Sequence, residues 1–154
     1  MGGLHGQLLY FAYGADLRRG TFGQRCPGAE WLGLAKMEGQ RFVIGVYGTA
    51  TVRAEEGATV WGALWLVPAA ELATLDRMAG VEDGRSERTT RRIISPAGPR
   101  TEAMMYISSP AESAGVDVTG HMTEVIDGAR ENRLPPAYIK ELQTWAEVKL
   151  RAVR

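Results

Sequence analysis

Few residues in this chain of 154 could carry acid–base, nucleophilic or metal chemistry. Two histidines, His5 and His121, and one cysteine, Cys26, are too few and too scattered for a tetrahedral metal site. Cys26 sits beside Pro27 and Gly28 and reads as a packed thiol. Pairing it with His121 as a Cys–His nucleophile has no further support in the sequence. There is no phosphate-binding glycine loop and no Gly-x-Ser-x-Gly elbow. What stands out is one turn. The apolar run Leu8-Leu9-Tyr10-Phe11-Ala12-Tyr13 stops at Gly14 and gives way to Ala15-Asp16-Leu17. A buried strand releasing into a glycine turn presents successive N–H groups, a nest that can hold an anion or a developing oxyanion. The same residues would also make an ordinary strand-ending turn, and spacing alone does not separate the two.

The elements that must position this turn are legible from periodicity. Residues 8–13 read as a buried strand, 41–47 as a second, 48–52 as another, and 59–67 as the strongest strand in the chain. Pro68 suits a helix start, Leu72, Leu75 and Met78 recur at helical spacing, and Gly80 is placed to stop that helix. Residues 88–94 read as a strand with one solvent-facing side, 95–99 as a turn cluster, and 102–107 as the last strand. Met122, Val125, Ile126 and Ala129 then fall on one helical face, and Pro135-Pro136 opens a final helix striped by Tyr138, Leu142 and Trp145. Strands first and helices afterwards favour an α+β fold over a parallel βαβ sheet. The four tryptophans, Trp31, Trp61, Trp65 and Trp145, are expected to fill the interior.

Composition sets the function classes aside more broadly. Eighteen basic and eighteen acidic residues cancel, so no global field favours a phosphate backbone, and a nucleic-acid partner is not expected. No apolar run nears the ~20 residues that span a bilayer, and residues 1–6 lack the pattern of a signal peptide. A lone cysteine fits a reducing cytoplasm. The length fits a single domain over 1–154.

Five segments, in order, resemble the γ-glutamylcyclotransferase-like superfamily (AIG2-like and BtrG-like proteins). Residues 9–17, Leu-Tyr-Phe-Ala-Tyr-Gly-Ala-Asp-Leu, resemble its Tyr-Gly-Ser-Asn-Leu signature after the first strand. Arg25-Cys26-Pro27-Gly28-Ala29 resembles its next short motif, and residues 60–65 its central Trp-Gly strand. Leu75-Asp76-Arg77-Met78-Ala79-Gly80-Val81 resembles its Leu-Asp-x-x-Glu-Gly-Val turn. Residues 128–138 resemble its Gly-Leu-Pro-x-x-Tyr entry to the last helix. The resemblance implies a small mixed-strand β-barrel, closed or nearly so, with helices outside.

The chemistry it implies is intramolecular aminolysis of a γ-glutamyl amide, amine or amino acid, of lyase or acyltransferase type. The substrate's own α-amino group attacks its γ-carbonyl, and 5-oxoproline and a free amine leave. No cofactor is implied, because nucleophile and electrophile share one molecule held in ring-closing geometry. Carried over by position, Tyr13, Gly14, Ala15, Asp16, Leu17, Ser86 and Tyr106 would bind substrate. The catalytic Glu falls at Ala79, which cannot carry a proton. Ser86 stands where an aromatic residue is expected, Ala15 where Ser is usual and Asp16 where Asn is usual.

Three accounts of Ala79 stay open at this point. The substitution could have been introduced into an otherwise intact motif. A base could come from elsewhere, with Glu82, Asp16 and Glu87 as candidates. Or catalysis could be lost and a non-catalytic small-molecule pocket, or different chemistry, retained on the same fold. Glu82 shares a loop with Ala79. Asp16, set in a nest of N–H groups, is expected to have a lowered pKa, better suited to an α-ammonium group than to proton transfer. Arg85, Arg88, Arg91 and Arg92 read chiefly as solvated surface.

Overall fold

The computed structural model describes residues 6–95, 98–109 and 119–153. Strand β1 spans Gln7–Ala12 and runs into a single 3-10 turn, Ala15–Leu17, and a short helix α1, Arg19–Arg25. Two long strands follow, β2 (Glu30–Ile44) and β3 (Ala50–Pro68). A second 3-10 turn leads to α2 (Leu72–Ala79), then β4 (Glu87–Ser95) and β5 (Gly98–Ile107). Helices α3 (Thr119–Glu131) and α4 (Pro136–Val153) complete the described order.

The strands close into a barrel in the order β1-β3-β2-β4-β5. β1 pairs antiparallel with β3, from Gln7 opposite Pro68 to Ala12 opposite Ala63. It meets β5 in parallel at Tyr10 opposite Met104, which makes the barrel mixed. Closure on the other side rests on an antiparallel contact of β2 with β4, Lys36 opposite Ile94. The expected α+β barrel with outer helices is therefore present.

The hairpin of β2 and β3 is longer than the periodicity suggests. Residues 30–40 and 53–58 are strand, although the sequence reading left them unassigned. The register slips between Trp31 and Gly33 and between Glu38 and Gln40. Gly33 (φ 134°) and Gly39 (φ 81°) take the left-handed backbone that such irregularities need. Each slip moves the inward face by one residue, which breaks the alternation a sequence reader looks for. It also bends the hairpin around the core.

Phe11, Phe42, Ile44, Val60, Ile93 and Met105 fill the barrel interior and are fully buried. Among the tryptophans Trp65 is buried, while Trp31, Trp61 and Trp145 are partly buried and pack against the core, short of the full burial expected. Two of these rings also meet cations. The Arg19 guanidinium lies 3.9 Å above the Trp31 ring, and Lys36 lies 5.5 Å above Trp61. The α3 face forms as its spacing predicts, with Met122, Val125 and Ala129 fully buried and Ile126 nearly so. Among the described residues no helix is long and apolar enough to cross a membrane.

Candidate active site

β1 carries its chain to the end of the barrel, where Tyr13 and Leu17 stay buried on either side of the turn. The turn closes through Leu17 N–H to Gly14 C=O (3.0 Å) and Arg18 N–H to Ala15 C=O (3.1 Å). These bonds leave the N–H groups of Ala15 and Asp16 outside the turn's own pattern, as at any helical start. A Cβ on Gly14 would lie 3.2 Å from the Cβ of Ala50, so β3 approaches the turn closely.

Helix α3 clamps the turn from outside. A Cβ on Gly128 would fall 2.4 Å from Leu17 Cβ and 2.6 Å from its carbonyl carbon, so only glycine permits this approach. Buried Asn132 donates through Nδ2 to the carbonyls of Leu17 and Gly128, both at 2.8 Å. Its Oδ1 accepts from Trp31 Nε1 at 2.8 Å, which ties β2 into the same joint. Both N–H donors of the Asn132 side chain and its carbonyl oxygen are engaged inside the fold, which marks a structural pin.

Across the cavity, α2 ends at Ala79. Gly80 adopts φ 82° and caps the helix, its N–H reaching Arg77 C=O at 3.2 Å while Val81 N–H reaches Asp76 C=O at 3.1 Å. Ser86 Oγ donates to Ala79 C=O at 2.6 Å and binds the far end of the turn to the helix terminus. Asp76 anchors the turn to the barrel. It accepts from Tyr106 Oη at 2.6 Å and from Arg88 Nη1 at 2.9 and 3.1 Å. Arg88 is thus paired rather than simply solvated, and Arg85 pairs with Asp83 at 3.1 Å.

Between these two walls lies a cavity of about 180 Å³. Its size suits a small metabolite. Tyr13, Gly14, Ala15, Asp16, Ala79, Ser86 and Tyr106 all border it. Leu17 is fully buried beneath the turn and supports it from the core. Glu82 and Glu87 are exposed and do not border the cavity. Cys26 lies in the core, where burial pushes its thiol up to about 11, so it is neither paired with His121 nor poised as a nucleophile. His5 lies outside the described residues, and among those residues no three side chains cluster as metal ligands.

Tyr10 and His121 also line the cavity, and the motifs assign neither to substrate. Tyr10 sits inside the apolar run, where nothing distinguishes it from core. Its hydroxyl donates to Asp16 Oδ2 at 2.5 Å. The Tyr10 ring is held by Phe22 at 5.6 Å (stacked) and by Tyr106 at 5.8 Å (edge-on). His121, at the start of α3, borders the cavity, and its Nε2 accepts the Ala50 N–H at 3.0 Å. Burial holds the imidazole below its ordinary pKa, partly offset by Glu124. Both facts fit a neutral ring with its proton on Nδ1.

Asp16 corrects an expectation. It keeps some surface toward the cavity but is otherwise packed in protein, and burial raises its pKa. The Tyr10 hydrogen bond and the charge of Arg25 lower it, and they do not overcome the burial. Tyr10 itself is pushed well above its usual value, first by burial and then by Asp16. Tyr13 donates to the Tyr106 carbonyl at 2.5 Å and is likewise raised by burial, which leaves it a neutral donor.

Comparison with known proteins follows the same motifs. Residues 59–142, more than half of the chain, match the model of the AIG2-like family. The chain is 26% identical over 146 residues to the γ-glutamylcyclotransferase of Mus musculus, covering 88% of this chain and 77% of that one. It is 29% identical over 148 residues to the γ-glutamylcyclotransferase of Bos taurus, covering 89% and 78%. A solved structure described as a γ-glutamyl cyclotransferase superposes with a TM-score of 0.80 at 26% identity, over 89% of this chain and 86% of that one. The matched span runs from the β3 Trp-Gly segment through the α2 turn to the α4 stripe, the elements that build the turn side of the cavity and clamp its loop side. The chain therefore belongs to the AIG2-like family and has the γ-glutamylcyclotransferase-like fold.

Proposed function

We propose that this protein binds a small γ-glutamyl amide, amine or amino acid in the cavity between the Tyr13–Leu17 turn and the Ala79–Ser86 turn. It would cyclise that substrate by intramolecular aminolysis, releasing 5-oxoproline and a free amine. The observation that carries this reading is the meeting of both family motifs at one small cavity that also holds an ionisable carboxylate. Ring closure gains most from holding the α-amino group against the γ-carbonyl, and a tight cavity on a rigid barrel end supplies that. Ala15 and Asp16 border the cavity, and their N–H groups, left unpaired within the turn, would serve as donors for the developing oxyanion. Neutral hydroxyls on Tyr10 and Tyr13 add polarity without charge.

Ala79 favours a second reading, a pocket that binds without catalysis. Against it, Asp16 and His121 both border the cavity, so proton transfer has agents. An assay separates the two. The protein is incubated with γ-glutamyl-alanine and with γ-glutamyl-butylamine, and 5-oxoproline is quantified against time. Enzyme-dependent release is expected. Saturable binding of either compound with no release would establish the binding reading instead.

A further inference from the structure

Building on the cyclotransferase reading, we propose that Asp16 is the general acid–base of this site, with Tyr10 positioning it, so that the carboxylate stands on the loop wall and not at position 79. Ala79 borders the cavity and carries no proton-transferring group. Asp16 borders the same cavity, at a position where the superfamily signature has an amide. One acidic group is thus lost from one wall and one gained on the other. The remaining acids near the site are engaged or absent from it. Asp76 is held by Tyr106 and Arg88, and Glu124 by Arg18 at 2.7 Å. Glu82 is exposed away from the cavity, and Glu87 is exposed in a neighbouring hollow that shares Arg85 and Ser86 with the cavity but does not line the cavity itself.

Tyr10 fixes one carboxylate oxygen, Oδ2. The Tyr10 ring is itself packed against Phe22 and Tyr106, which sets the direction of its hydroxyl. The free oxygen, Oδ1, takes a proton from the substrate's α-ammonium group. The neutral amine then forms a C–N bond to the γ-carbonyl carbon, whose oxygen becomes the oxyanion. Asp16 returns its proton to the leaving nitrogen, the bond from the γ-carbon to that nitrogen breaks, and the intermediate collapses to the lactam. The second proton on the ring nitrogen then passes to the freed carboxylate and on to the released amine, which departs as an ammonium. Two protons pass through Asp16 in turn, and no other reactant is consumed. Burial that raises Asp16 from its ordinary value makes it a better proton acceptor than a solvated aspartate. The charged and titratable groups around it are Tyr10 on β1 and Tyr13 just after it, Arg18 after the turn, Arg25 and Cys26 at the end of α1, Tyr47 and Arg85 across the cavity, Tyr106 on β5, and His121 and Glu124 on α3.

The test compares four proteins on γ-glutamyl-alanine: wild type, Asp16→Asn, Tyr10→Phe, and the wall-swapping double variant Asp16→Asn/Ala79→Glu. Asp16→Asn is expected to lose about 10²–10⁴-fold in kcat/KM, the usual worth of a general acid–base. The double variant is expected to recover activity, which also shows that the amide at 16 folds. Tyr10→Phe removes a hydrogen bond that lowers the Asp16 pKa, so the acid limb of its pH–rate profile moves to higher pH. A purely structural role for Tyr10 would not move that limb. Full activity in Asp16→Asn, or an unmoved limb in Tyr10→Phe, overturns the proposal and leaves the cyclotransferase reading standing. So does activity in the double variant alone. No release from any of the four overturns the cyclotransferase reading and the proposal with it.

Discussion

The cavity's loop wall and its turn wall are held by different means. The loop wall continues a barrel strand paired on both sides, with Leu17 fully buried and Asn132 making three side-chain hydrogen bonds. The turn wall is a helix C-terminus followed by four exposed residues, 82–85. It is tied down at its ends by the Gly80 cap, the Ser86 hydroxyl and the Asp76 anchor. Chemistry that depends on placement to a fraction of an ångström gains from the stiffer wall. The ionisable carboxylate bordering the cavity is on that wall. The turn wall offers Met78, Ala79, Arg85 and Ser86 and no carboxylate.

The largest way to break this contrast is to release the pin. Asn132→Ala leaves the Leu17 and Gly128 carbonyls and the Trp31 indole without their partner. Each stranded buried group costs roughly 1–3 kcal/mol. Chemical denaturation should show a loss of at least about 2 kcal/mol, together with a fall in cyclotransferase activity, because the turn carrying Asp16 is freed. An unchanged unfolding midpoint would mean α3 does not hold the loop wall.

Asp16→Asn should raise stability at neutral pH and have little effect in acid. The folded protein holds the Asp16 proton more tightly than the unfolded chain, so the carboxyl opposes folding increasingly as pH rises from about 4 through its raised folded value. Melting curves of both proteins from pH 4 to pH 8 test this. The gap should open with pH, and a gap that opens toward acid would show the carboxylate stabilised where it sits.

His121 gives an effect of opposite sign. Its folded pKa is lowered, so its contribution is full above about 6.5 and is lost as pH falls through that value. Protonation of Nε2 removes the acceptor for Ala50 N–H. Wild type should lose stability between pH 7 and pH 5, and His121→Gln should flatten that part of the curve. The smallest effect is expected on the turn wall. Glu82→Gln should change stability by less than about 0.5 kcal/mol, as for most exposed positions, and leave 5-oxoproline release unaltered. A large loss there would return the carboxylate to the turn.

Much of this architecture is legible in the residues, and the gaps have physical causes. Gly80 announces its helix end, Pro135-Pro136 its helix start, and the α3 face its buried side, because caps and helical periodicity act locally. The long hairpin is hidden because Gly33 and Gly39 shift its register and because charged residues such as Arg53 and Glu55 line its outer face. Closure rests on the Lys36–Ile94 and Tyr10–Met104 contacts, which no local pattern encodes. At the site, motif order leads to both walls. It does not reveal Tyr10, which looks like any core aromatic, or His121, more than a hundred residues from the turn it faces. It also misjudges Asp16, since a nest of N–H groups suggests a low pKa and only the packing shows that burial dominates.

The most direct check is to see where a product binds. Crystals of the wild-type protein soaked with 5-oxoproline should show the lactam between the Tyr13–Leu17 turn and Ala79, with its ring nitrogen within hydrogen-bonding reach of Asp16. A lactam bound away from this cavity, or with Asp16 turned from it at every pH tried, would contradict the account.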